Sequence, residues 1–387
     1  IRGGRSNEVG YMIDGTIVVG PLLGGLATDI NNDAIQEMSL LSGTFNAEYG
    51  NALSGVVNIV TRDGADKFSG KLEARTSEFG VERYSSLHEN RINGSISGPI
   101  LSPEYNFFIS GELDKRGSYL PFGYNNTKSF FSKITTTVIP FVKVSFSNRG
   151  SLGKRQNYSH SYKYIPEQYY RNRTDSWQSS LIFTHTVENN FFYDLKASYF
   201  NQGYYVGIDK DTSQYLSSSQ TQYFEDIGNG FEFYKISDPP ELTDSRTANA
   251  DFKADAVWQI GSMNEVKFGV AYKKHWLRLF NIYDPKRNFP YKDNYNTQPF
   301  EGAGYVQDKI ELPYLIINIG LRYDFMNANV VFRNNPLDPN SNITVKSRSQ
   351  FSPRFGIAHP ISDRTKLHFS YGHFFQNPDF QYLFENN

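Results

Sequence analysis

Connections in this chain alternate between tight and long, and few folds permit that. Period-2 stretches that read as strands occur roughly thirteen times between about residue 68 and about residue 375. Ile139-Pro140, Glu188-Asn189-Asn190, Gly261-Ser262-Met263 and Leu312-Pro313 each join two of them tightly. The connections in between run roughly 12 to 45 residues and carry Tyr, Asn, Asp, Ser and Pro. A meander with short turns at one end and long loops at the other is the plan of a membrane-spanning β-barrel of the outer-membrane kind. A soluble sandwich has no physical reason to sort its connections by length.

The faces agree. From Tyr314 to Phe325, Leu315, Ile317, Ile319, Leu321, Tyr323 and Phe325 share one face, and Asn318, Gly320, Arg322 and Asp324 the other. Leu367, Phe369 and Tyr371 alternate in the same way with Lys366, His368 and Ser370. Stretches of about 10 to 12 residues are long enough to cross hydrocarbon at a tilt. The alternation predicts that Leu315, Ile317, Ile319, Leu321, Leu367 and Phe369 meet lipid. It predicts that Asn318, Arg322, Lys366 and His368 face the lumen.

Composition excludes several alternatives. A formal charge of −1 over 387 residues gives no basic face for nucleic acid. The absence of Cys removes disulfides and thiolate metal sites. The 27 Tyr and 31 Phe suit a barrel with aromatic girdles. A mean hydropathy of −0.53 would be wrong for a helical membrane protein, but a barrel shows lipid only alternate residues. Asp29-x-Asn31-x-Asp33 opens like a calcium loop and then departs from it at Ala34 and Leu40. His368 and His373, five apart on a strand, point to opposite faces. No nucleophile elbow is present, so no catalytic set, metal or cofactor is expected.

Residues 1–67 differ in kind. Tyr11 to Gly15 reads as a strand entering a turn, Asp33 to Glu37 as a short helical turn, and Gly55 to Arg62 as a buried strand. Together they suggest a small α/β unit. The runs Ile1-Arg2-Gly3-Gly4, Ile13-Asp14-Gly15 and Ala47-Glu48-Tyr49-Gly50-Asn51-Ala52-Leu53-Ser54-Gly55-Val56-Val57-Asn58-Ile59-Val60-Thr61-Arg62 resemble the plug domain of TonB-dependent outer-membrane receptors. They are most similar to the Bacteroidetes-type branch that carries an N-terminal carboxypeptidase-regulatory-like domain. Tyr305 to Lys309 with Asn318 to Asp324, and Ser352 to Gly356 with Ser370-Tyr371-Gly372 and Asn377-Pro378, resemble paired-strand signatures of the same receptors.

The resemblance implies the C-terminal part of a plug over 1–67 and the N-terminal part of a barrel over 68–387. The complete family barrel has about 22 strands and a plugged lumen. A TonB box would precede Ile1 and further strands would follow Asn387. The plug motif falls on Arg2, Gly3, Gly4, Asp14, Gly15, Gly50, Gly55, Asn58 and Arg62, with the arginines expected to pair with acidic groups on the wall. Implied partners are TonB, membrane lipid and lipopolysaccharide, a nutrient such as an oligosaccharide or peptide, and a surface lipoprotein. The implied activity is energised import, with a surface adhesin or secretion channel as the alternative. Loops at about 149–174, 203–247 and 277–301 share one end by the parity of their connections. Tyr164, Tyr169, Tyr170, Tyr291 and Tyr295 are the expected ligand contacts there, since Tyr offers a flat apolar face and a hydroxyl.

Overall fold

The structure is a computed structural model and describes residues 3–22, 24–42, 45–78, 88–224, 233–238, 241–333, 338, 341–362 and 364–384. Four strands belong to the N-terminal unit: β1 (Val9–Ile13), β2 (Thr16–Ile17), β3 (Ile35–Ser42) and β4 (Gly55–Thr61). They form one sheet in the order β2-β1-β4-β3. β1 runs parallel to β4, and the other pairs are antiparallel. The apolar runs of β1 and β4 suit a pair covered on both faces. Met12, Phe45, Ala52 and Val56 pack together, and Ile13, Val18 and Ile59 form a second cluster. The expected helical turn is smaller than read. Asn32–Ala34 is a single 3₁₀ turn, and Ile35 already begins β3. No α-helix occurs among the described residues of this unit. Gln36, Glu37, Met38, Leu40 and Leu41 are good helix formers, so it is pairing along β4, from Ile35 opposite Thr61 to Ser42 opposite Gly55, that overrides local propensity here.

The remaining strands are β5 (Ser69–Thr76), β6 (Asn90–Pro99), β7 (Tyr105–Gly117), β8 (Tyr124–Thr136), β9 (Val142–Gln156), β10 (Arg171–Glu188) and β11 (Phe191–Gly207). They are followed by β12 (Gln222–Phe224), β13 (Phe233–Ile236), β14 (Glu241–Ile260), β15 (Asn264–Tyr283), β16 (Tyr291–Thr297), β17 (Phe300–Leu312) and β18 (Leu315–Asn327). The last are β19 (Val331–Arg333), β20 (Asn342–Thr344), β21 (Arg348–Ser362) and β22 (Thr365–Gly372). One sheet of 14 strands runs antiparallel in chain order from β5 to β22. β16 hangs beside β15, while β12–β13 and β19–β20 are separate ribbons in the long connections. Among the described residues β5 and β22 are the two edges, so the sheet is an unclosed arc of barrel wall.

Two expectations are corrected here. The connection 118–123 between β7 and β8 is short, although it lies at the long-loop end. Strand length is also greater than expected: β14 and β15 have 20 residues each. At about 3.3 Å per residue they reach about 65 Å, well past an apolar band about 25 Å tall. Their upper halves therefore stand clear of lipid as a rigid collar.

The lipid-facing residues are exposed: Ile319 at 50%, Leu367 at 62% and Phe369 at 61%, with Leu321 beside them. Leu315 and Ile317, on the same face, are half-buried. Arg322 is buried against the N-terminal unit, while Asn318 and His368 line a crevice beside Phe45–Ala47. Lys366 shares the parity of His368. The wall is not uniformly polar inside: Phe108 and Phe131 turn inward and cover Ala34.

Candidate functional site

The N-terminal sheet sits within the curve of the wall, because contacts from both flanks converge on it. β5 and β6 reach Asp33: Lys71 Nζ lies 2.8 Å from Asp33 Oδ1, and Asn93 Nδ2 donates to Asp33 Oδ2 at 2.5 Å. From β8 and β9, Lys133 Nζ lies 2.7 Å from Asp63 Oδ1 and Lys143 Nζ lies 2.5 Å from Asp63 Oδ2. Lys133 also donates to Thr61 Oγ1 at 3.2 Å and lies 3.8 Å from Asp14. Ser176 of β10 bonds Thr28 at 2.8 Å, and Gln202 of β11 donates to the Ala27 carbonyl at 3.0 Å.

Burial alone would raise the Asp63 carboxyl, but hydrogen bonds from Lys133 and Lys143 and their charges outweigh it and hold it below its ordinary value. Asp33 is likewise held low, its burial outweighed by Lys71 and Asn93.

The opposite flank uses other chemistry. Arg322 of β18 donates to the carbonyls of Ala47 at 3.2 Å and Glu48 at 3.4 Å, and its far side pairs with Asp324 at 2.8 Å. Arg354 of β21 donates to the carbonyls of Phe45, at 2.9 Å, and Asn46. Its guanidinium also lies against the paired rings of Phe45 and Phe374, 5.1 and 4.9 Å from their centroids.

After β22 the chain turns inward as a strap, residues 373–384. Gln376 donates to the Asn7 carbonyl at 2.5 Å, and Asn7 donates to Asp379 at 3.2 Å. The Asn377 N–H donates to Asn51 Oδ1 at 2.8 Å, and its side-chain amide donates to Glu301 at 2.7 Å. The Phe380 N–H donates to the Pro21 carbonyl at 3.0 Å. Phe380 and Phe384 pack with Leu22, Leu277, Leu279 and Met326. The strap thus joins the N-terminal unit to the β15–β18 wall.

Above the contacts of β10 and β11 lies a cavity of about 310 Å³, lined by Tyr158, Tyr162, Tyr169, Tyr170, Tyr204, Asn157, Gln168, Asn172 and Glu241 among others. Its frame is rigid. The Tyr169 ring meets Phe122 and Tyr158 edge-on, and Tyr162 donates to the Asp238 carbonyl at 3.2 Å while its ring lies 4.5 Å from that of Tyr234. Burial, reinforced by Glu241, pushes the Tyr170 hydroxyl upward, so it stays protonated as a donor. The loop 157–170 and the described residues 233–238 of the next long connection therefore share one end.

A model of the TonB dependent receptor-like β-barrel matches residues 104–387. The chain belongs to the TonB-dependent receptor family. It is an outer-membrane β-barrel protein. Over 123 residues, 28% of this chain and 12% of the relative, it is 28% identical to the TonB-dependent transporter Oar of Myxococcus xanthus. The FrpB iron transporter of Neisseria meningitidis shares the fold at a TM-score of 0.72 and 14% identity, over 98% of this chain and 59% of that one. FpvA of Pseudomonas aeruginosa, bound to heterologous pyoverdines, does so at 0.71 and 11%, over 98% and 52%. The chain spans little more than half the length of these two receptors.

Within this TonB-dependent receptor chain, the motif residues do different work. Asp14 and Gly15 make the two-residue turn between β1 and β2, both with positive φ of 49° and 81°, as a type I′ hairpin needs. The Asp14 carboxylate accepts from the Thr61 N–H at 2.8 Å and hydroxyl at 2.5 Å, tying that turn to the end of β4. Gly50 leaves room for Arg322, whose guanidinium would overlap any Cβ there. Gly55 and Asn58 lie in β4, Gly55 opposite Val9 and Asn58 opposite Met12. Gly3 has a positive φ, and Gly4 abuts Ser54. Arg62 donates to the Ile35 carbonyl at 3.1 Å within its own unit, and Arg2 lies outside the described residues. Among the described contacts, cations that cross to the other body come from the wall: Arg322 was expected in the lumen, whereas Lys71, Lys133, Lys143 and Arg354 were not singled out.

Of the expected ligand contacts, Tyr169 and Tyr170 line the cavity. Tyr164 stands in a neighbouring cluster with Phe224 and Phe233, Tyr291 lies in β16 opposite Tyr283, and Tyr295 packs on Phe384. The five do not form one site. Tyr158, Tyr162 and Tyr204 complete the cavity instead, and the loop tyrosine clusters were the signal for them.

Proposed function

We propose that residues 1–67 are plug and residues 68–387 wall of an energised importer, which takes a nutrient from the cell surface through a lumen that the plug closes at rest. One observation carries this reading: a folded unit occupies the lumen and is held by polar contacts from strands on both flanks. Such a pore passes solute only if those contacts are broken, and breaking many weak contacts together needs work supplied from outside the barrel. In this reading TonB supplies the work by pulling on the N-terminal side, and the chain carries out no covalent chemistry. That FrpB is an iron transporter and that FpvA binds heterologous pyoverdines are compatible with import without fixing the cargo.

Paired cysteines at Asp33 and Asn93, whose side chains touch, would tether plug to wall in the full-length receptor. Energised uptake by whole cells should stop on oxidation and return with dithiothreitol. Undiminished uptake by the tethered receptor would rule out plug displacement and favour the adhesin or secretion alternative.

A further inference from the structure

We propose that the cavity over β10 and β11 is a subsite for a neutral sugar ring, a reading that rests on the importer function and names its cargo class. Its place is the first point. Gln202 and Ser176 touch the N-terminal unit at Ala27 and Thr28. Tyr204 lies two residues further up β11 and Asn172 four residues further up β10, on the same inward parity. At about 3.4 Å per residue these side chains stand about 7 and 14 Å above that contact. A solute descending to the plug meets them first.

The lining chemistry is the second point. Among the described residues no Lys, Arg or His lines the cavity, and Glu241 is its one carboxylate. Arg155, the ladder neighbour of Asn172, stands exposed at the rim with its Nε donating to Asn157, so a polyanionic chelate or phosphate would meet a single cation there, offset by Glu241. Tyrosine rings offer flat apolar faces to the C–H face of a pyranose, while amides and a carboxylate can bond its hydroxyls. The Asn172 side-chain oxygen is buried without a hydrogen-bond partner among the described residues, which is costly unless a ligand supplies a donor. Thr243 occupies only one Glu241 oxygen, at 2.9 Å.

A peptide fits less well. Capture of an extended peptide by strand addition needs an unpaired strand edge. Here β10 is paired on both sides at Asn172, with Arg155 and Val206, and β11 at Tyr204, with Thr174 and Ser245. At about 310 Å³ the cavity lies at the small end of the roughly 300–1,000 Å³ range of ligand pockets, which suits one ring or a short end of a chain.

The test is binding by the purified full-length receptor in detergent. A panel of neutral oligosaccharides is screened on an array and its hits are titrated by calorimetry, with Ala-Ala-Ala and ferric citrate as the other probes. The expected result is binding of at least one neutral glycan, weakened about tenfold or more by Asn172→Leu and by Tyr204→Ala. Tyr204→Phe, which keeps the ring and the fold, should stay within about threefold. Binding of no neutral glycan overturns the subsite. So does glycan binding that all three variants leave unchanged, or binding of the tripeptide or ferric citrate that Asn172→Leu abolishes. The outcome is separable from the importer reading: if the Asp33–Asn93 tether still stops uptake of some solute, only the sugar subsite fails.

Discussion

On the β5–β9 flank the wall grips the N-terminal sheet through lysines set against carboxylates. On the β18–β21 flank it grips through arginines set against peptide carbonyls, backed by aromatic rings. The first set pairs charge with charge and, apart from buried Lys133, is open to screening by salt; the second sets charge mainly against backbone carbonyls, which stay acceptors at every pH. Lys71 and Lys143 are half in water, while Arg322 and Arg354 are only 7% and 8% exposed. One flank is thus adjustable and the other fixed. If the N-terminal unit is displaced as proposed, fastening it in two ways lets it move without unfolding the wall.

The largest effect should come from the fixed flank. Arg322→Ala strands the carbonyls of Ala47 and Glu48 and leaves the half-buried Asp324 without its partner, at a cost of about 3–5 kcal/mol. Hydrogen exchange over residues 45–50 should accelerate sharply, and unchanged protection would mean that this flank holds nothing. A control on the outer surface calibrates it: Ile319→Arg should lower the stability of the folded barrel in bilayers by about 2–4 kcal/mol, and Asn318→Arg much less. Equal costs at the two positions would invert the assignment of faces.

Acid separates the flanks next. Asp33 and Asp63 have carboxyls held below the ordinary 3.8, so their stabilisation is complete above the unfolded value and is lost as pH falls through the folded one. Below about pH 4, protease access to residues 61–66 should rise while residues 45–50 stay protected. Simultaneous loss at both places would erase the distinction. The smallest effect is that of Lys71→Ala: this lysine is half in water, so its loss should leave stability almost unchanged, and any difference should vanish in high salt. A larger, salt-resistant loss would place Lys71 with the fixed group.

These differences bear on what a sequence can tell. The strand order, the tight turns and the inward and outward faces were legible because alternation is imposed by lipid on one side and water on the other. Strand length was not. In the upper halves of β14 and β15 the inward face turns apolar, with Leu242, Leu277 and Leu279 buried under loops and strap, so the rule of apolar out and polar in no longer marks the strand there. The expected polarity of the plug contacts pointed to Arg2 and Arg62 because arginine is visible in a motif. The partners of Arg322 and Arg354 are backbone carbonyls, which every residue has and no motif reveals. The loop tyrosines were seen as clusters, but which of them share a cavity depends on how 157–170 folds over β11.

The strap sets the order in which the assembly can come apart under load. Asn7, which bonds both Gln376 and Asp379, precedes β1 in the chain. A force applied to the N-terminal end is felt by these two bonds before any ladder bond between β1 and β4. They would part singly, as in peeling, whereas the β1–β4 ladder shares its load across a row. The strap's bonds to Asn7 would therefore release while the sheet is intact, and the outer side of the lumen would begin to loosen before its inner side does.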